Sequence, residues 1–155
     1  MDLAIQTLFS VAEVELIYRN KVRPSDRLKV TNSDSAYDVF LAAWDLNKMD
    51  MVEQFYMLML DRANHCIGLS NIATGGVSAC VVDPKIVFAT ALKANSSSII
   101  VAHNHPSGNL KPSNADIRLT ERIKHAGEFL DLTLQDHLIV TPLKYYSFAN
   151  EGLIF

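Results

Sequence analysis

The chain has 155 residues, 49% of them apolar and 20% charged, which is enough for one core, too ordered a composition for a disordered tail, and too short for a second sizeable core. Fourteen Lys and Arg against seventeen Asp and Glu leave a formal charge of −3, without the basic footprint of a protein that coats phosphate backbone unaided. No apolar run approaches the roughly 20 residues that span a bilayer, MDLAIQTLFSVAEVEL lacks a basic head and a cleavage site, and Cys66 and Cys80 are too few for a disulfide framework, so the expected setting is a reducing cytoplasm.

Val11–Tyr18 alternates around Val14, Leu16 and Tyr18 with Glu13 and Glu15 on the other side, the period of a half-buried strand. Arg23–Ser33 is polar, contains Pro24 and reads as loop. Ser35, with Asp38 three residues on, predicts a helix start. Ala36, Val39, Phe40, Ala43 and Trp44 then follow at helical spacing. Glu53–Leu60 is apolar on both faces after its first two residues, as in a central strand covered on both sides, and residues 65–72 are its expected hairpin partner. Gly75-Gly76 marks a turn. Asp83-Pro84 sets an N-cap and N1 for a helix reaching about Ala94. Ser98–Ala102 is a short apolar strand, Pro106–Pro112 a loop, Ser113 to about Leu130 a helix, and His137–Thr141 the final strand. This mixed order predicts an α/β domain of two or three layers.

The chemistry is concentrated in Ile100–Asp116, IVAHNHPSGNLKPSNAD. His103 and His105 are two apart at a strand end, so both imidazoles share one face. Asp116 shares a helix side with Leu119 and Ile123. A carboxylate turned toward the buried side needs a partner. Two His and one Asp would leave a tetrahedral metal with one open position, the arrangement of catalytic zinc. Ser113 and Asp116 also read as a near capping box, and Ser113 can cap the helix and still offer its hydroxyl to an oxyanion. His65, His125 and His137 read as structural histidines, and the two cysteines as buried thiols. Lys111, Arg118, Arg122 and Lys124 form a modest basic cluster.

His103-x-His105, seven residues, Ser113, two residues, Asp116 is the HxHx7SxxD signature of the JAMM (MPN+) metalloproteases. The flanking AHNHPSGNLKPS, DIRLTERIKHAG and LDLTLQDHLIV resemble its RadC branch over about residues 10–152 of a single domain spanning 1–155. The resemblance implies a JAB/MPN-type fold related to the cytidine-deaminase fold. It implies one zinc ion (Zn2+) per chain held by His103, His105 and Asp116, and hydrolysis of an amide or isopeptide bond in a peptide or protein substrate. It also implies an upstream glutamate as general base. Glu53, at the mouth of the first buried strand and on the face of Phe55 and Met57, is the match, with Glu13 and Glu15 next in line. RadC-like proteins also carry an N-terminal helix-hairpin-helix-like region with no counterpart in this sequence, so nucleic-acid binding is expected to be weak or absent. The alternatives are a RadC-type repair or mobile-element protein acting with nucleic acid and a non-catalytic MPN-type scaffold. A zinc nucleobase deaminase would need H-x-E and P-C-x-x-C, which are missing. The usual ligand order of a non-haem iron oxygenase also differs.

Overall fold

A computed structural model describes residues 22–154. The strand expected over Val11–Tyr18, with Glu13 and Glu15, lies outside the described residues. Within them the chain forms α1 (Ser33–Ala43), β1 (Gln54–Leu60), β2 (Cys66–Thr74), α2 (Pro84–Lys93), β3 (Ser98–Asn104), α3 (Asn114–Phe129), β4 (Thr133–Val140) and β5 (Tyr145–Ser147). The five strands make one mixed sheet in the order β2-β1-β3-β4-β5, parallel only between β3 and β4.

Alternation along the central strands divides the core in two. Tyr56, Leu58, Leu60, Ile100, Ala102, Leu138 and Val140 pack with Ala36 and Phe40 of α1 and with Trp44. Phe55, Met57, Met59, Ile99 and Val101 pack on the other face with Val87, Phe88 and Ala91 of α2 and Ile123 of α3. The domain is therefore three-layered, helix on sheet on helices, a plan consistent with a JAB/MPN-type fold. β1 is buried at every position because both faces are covered.

Three expectations are corrected. Helix α1 begins two residues before Ser35. The Asn32 side chain accepts a hydrogen bond from the Ser35 amide at 2.9 Å, while the Ser35 hydroxyl accepts from the Asn32 amide at 3.1 Å, so Ser35 is the third residue of a capping box opened by Asn32. β4 begins at Thr133, well before His137, and is not the last strand. β5 adds three residues at the sheet edge, too short for a period to register.

β4 holds the irregularity that matters for the site. Ile99 pairs with Leu134, but Ile100 pairs with Asp136, so Gln135 is an extra residue. A one-residue slip moves every later side chain to the opposite face. Leu134 packs with the α2/α3 layer, whereas Leu138 and Val140 pack with α1, and His137, opposite Val101, falls on the His103 side of the sheet.

Candidate metal centre

The site lies where β3 ends and α3 begins. His103 is the penultimate residue of β3 and is 2% exposed. His105 follows the strand. Its Nδ1 lies 2.6 Å from the Asn109 carbonyl, which can only accept, so the ring donates there and turns Nε2 inward. Asp116 sits in the first turn of α3. The Ser113 backbone N–H donates to Asp116 Oδ2 at 2.7 Å, and Ser113 Oγ accepts from the Asp116 amide at 3.1 Å. The capping box read from the sequence is thus formed, and the same carboxylate faces the histidines.

His103 Nε2 and His105 Nε2 are 3.0 Å apart. His103 Nε2 is 3.3 Å from Asp116 Oδ1, and His105 Nε2 is 3.5 Å from Asp116 Oδ2. The edges of a tetrahedron with ligand bonds of about 2.0–2.2 Å are about 3.3–3.6 Å; the two histidine–carboxylate separations fall in that range and the histidine–histidine separation of 3.0 Å is a little shorter, so the group is of metal-holding size. Three Lewis bases facing each other at this range call for a shared cation or proton. The protonation equilibria agree. The Asp116 carboxylate, hydrogen-bonded to the ring, raises the proton affinity of His105 against the opposing effect of burial. Burial by itself raises Asp116, but the imidazoles of His103 and His105 facing it and the Ser113 amide outweigh that and hold Asp116 far below the usual carboxylate range. His103, His105 and Asp116 therefore form a group able to hold a metal ion.

The group opens into a cleft of about 570 Å³ that Glu53, Phe55, Cys80, Lys111 and Ser113 also line. Glu53 directly precedes β1, two residues before Phe55, which pairs with His103. Its backbone is tied on both sides to the glycine turn: Glu53 N–H donates to Gly76 O at 3.0 Å and Gly75 N–H to Glu53 O at 2.8 Å. A Cβ on Gly75 would stand 2.1 Å from the Ala79 carbonyl oxygen, so only glycine permits this turn. Among the described residues nothing hydrogen-bonds the Glu53 carboxylate. Burial raises its pKa, the nearby histidines pull it down and Asp116 pushes it up. The Ser113 hydroxyl is exposed to the same cleft with its own hydrogen unspent among the described residues.

Several residues matter more than the sequence indicated. Asn104, between the two histidines, is fully buried and points to the other side of β3. Its Oδ1 accepts from the Gln54 amide at 2.8 Å, and its Nδ2 donates to Met49 O at 2.7 Å and Val52 O at 2.9 Å. It thereby ties the segment carrying Glu53 to the histidine strand. His137 is structural, as expected, but it lies mid-strand, with its Nε2 2.8 Å from His103 Nδ1 and its Nδ1 2.6 Å from Thr120 Oγ1. Thr120 had a signal, since it stands four residues from Asp116 on the same helix side. The reading of both cysteines as buried is corrected: each is half-buried and unpaired, and Cys80 lines the cleft, because β2 is an edge strand and the loop after it is open. His65 pairs with Asp61 at 3.4 Å and His125 with Glu128 at 3.2 Å, both away from the His103, His105 and Asp116 group.

The layered plan, the mixed sheet and the His-His-Asp group define an α/β domain of the JAB type. The chain belongs to the RadC-like JAB domain family, whose model matches residues 30–153. It is 40% identical over 143 residues to a "UPF0758 protein" of Flavobacterium johnsoniae, covering 92% of this chain and 62% of that protein. A protein of the same name from Aquifex aeolicus is 35% identical over 150 residues, 97% of this chain and 63% of its own. One from Thermotoga maritima is 44% identical over 96 residues, 62% of this chain and 43% of its own. The chain thus spans less than two thirds of the length of these relatives.

Proposed function

We propose that this domain is a zinc-dependent hydrolase of amide or isopeptide bonds in a peptide or protein, working in the cytoplasm. The observation that carries the reading is the convergence of two imidazole nitrogens and a carboxylate, 3.0 to 3.5 Å apart, in a cleft that also holds a half-buried glutamate whose carboxylate has no hydrogen-bond partner among the described residues. His103 and His105, each through Nε2, and Asp116 would hold the ion, and this nitrogen-and-oxygen donor set suits zinc. Bound zinc supplies Lewis acidity toward the substrate carbonyl and acidifies water. Glu53, poised by its glycine-turn anchors and with its proton affinity raised by burial, takes the proton from the attacking water and returns it to the leaving nitrogen. The Ser113 hydroxyl, exposed to the cleft, donates to the oxyanion as the carbonyl becomes tetrahedral. No helix among the described residues is long and apolar enough to cross a membrane.

The test joins metal analysis with turnover on a panel of peptide and isopeptide substrates. Wild type should carry one zinc per chain and His103→Ala markedly less. Glu53→Gln keeps the shape of the side chain but cannot accept a proton. It should retain zinc and lose turnover by about 10²–10⁴-fold. Full zinc in His103→Ala would remove the ligand assignment, and near-wild-type turnover in Glu53→Gln would remove Glu53 as the base.

A further inference from the structure

Behind the metal-binding group lies a chain of hydrogen bonds whose directions follow from counting protons. Thr120 Oγ1 is 2.7 Å from the Asp116 carbonyl oxygen and 2.6 Å from His137 Nδ1. Two electronegative atoms at such range hold a hydrogen between them. A carbonyl has none to give, so the single hydroxyl hydrogen of Thr120 points to Asp116. The hydrogen between Thr120 and His137 therefore sits on His137 Nδ1. The His137 ring is wholly buried, and no carboxylate bonds it among the described residues, so it is neutral and carries only that one proton. Its Nε2 is left as an acceptor, and the 2.8 Å contact to His103 Nδ1 is filled by a hydrogen from His103. His103 is then obliged to turn an unprotonated Nε2 toward His105 and Asp116. Phe148 stacks on the His137 ring at 4.6 Å and 11°, which keeps the relay aligned.

We propose that Thr120 and His137 are positioning residues that hold His103 in the Nδ1–H tautomer, so that its Nε2 lone pair is ready for the metal before any metal arrives. The Thr120 hydroxyl sets the direction of the whole relay, from the backbone of α3 through β4 to β3. This inference rests on His103, His105 and Asp116 being metal ligands. Partners that fix a ligating histidine in this manner are worth about 10–100-fold in metal affinity.

The experiment titrates zinc into metal-free wild type, Thr120→Val and Thr120→Ser against a competing chelator, and records ring-nitrogen NMR of the histidines. Thr120→Val keeps the branched shape and removes the hydroxyl, so His137 Nδ1–H loses its acceptor and the opposite relay direction takes over. Zinc affinity should fall by about 10–100-fold. In the metal-free variant the His103 proton should move to Nε2. Thr120→Ser restores a hydroxyl and should restore affinity and tautomer. Equal affinity in Thr120→Val and wild type, or a Thr120→Ser variant as weak as Thr120→Val, would overturn the proposal. Should Thr120→Val not fold, the wild-type spectrum decides alone: a metal-free His137 protonated at Nδ1 supports the relay, and one protonated at Nε2 overturns it. Failure of wild type to bind zinc at all is a separate outcome, which removes the metal reading and this inference with it.

Discussion

At the scale of single residues, the charges of His105 and Asp116 make the metal-free site sensitive to pH. The Asp116 carboxylate raises the proton affinity of His105. Asp116 is itself held far below its ordinary range, burial being outweighed by the facing imidazoles and the Ser113 amide. A histidine raised on folding adds stability that is complete below its unfolded value of about 6.5 and fades as pH climbs through the folded one. A depressed aspartate adds stability that is complete above about 3.9 and fades as pH falls. Both contributions coexist between about pH 4 and 6.5, so in metal-free protein Asp116→Asn should lower the melting temperature most in that window and less above it. Thermal melts of both proteins across pH test this, and a cost that does not vary with pH would contradict it. Zinc acts in the other direction, because it needs His105 without its proton, so zinc affinity should weaken as pH drops through the same range.

At the scale of elements, the site depends on how three segments are tied together. β3 delivers the histidines, the first turn of α3 delivers Asp116, and the residue before β1 delivers Glu53. Asn104 is the tie between the first and the last. Asn104→Ala would leave the Gln54 amide and the Met49 and Val52 carbonyls without partners in a buried place. Each group that water cannot reach costs about 1–3 kcal/mol. The variant should therefore melt well below wild type, and its turnover should fall further than its zinc affinity, because the segment carrying Glu53 loses one of its ties, at Gln54, while His103 keeps its own. A wild-type melting temperature for Asn104→Ala would rule this out. The bulge at Gln135 works at the same scale. Had Gln135 paired in regular register after Leu134, His137 would lie opposite Ala102 and face α1, and His103 would lack this partner behind it.

At the scale of the whole molecule, charge bears on partners. With a formal charge of −3, duplex DNA should bind this chain more weakly than about 10⁻⁶ M at physiological salt, with affinity falling as salt rises. Sub-micromolar binding in an equilibrium titration would revive a direct role with nucleic acid. Much of the architecture was legible in the residues alone. The buried run Glu53–Leu60, the Asp83-Pro84 helix start, the HxHx7SxxD spacing and the capping box at Ser113 are local patterns, set by side-chain period and backbone hydrogen bonding within a few residues. They determined the α/β class and brought His103, His105 and Asp116 into view together. The choice of three layers, the edge strand β5, the bulge in β4 and the Thr120-His137-His103 relay were not legible. Each depends on which strand lies beside which, and pairing across 17 to 34 residues of sequence leaves no period in the chain. Tertiary structure alone decided that a histidine in β4 would stand behind His103, because only the register between β3 and β4 sets the face on which its ring emerges.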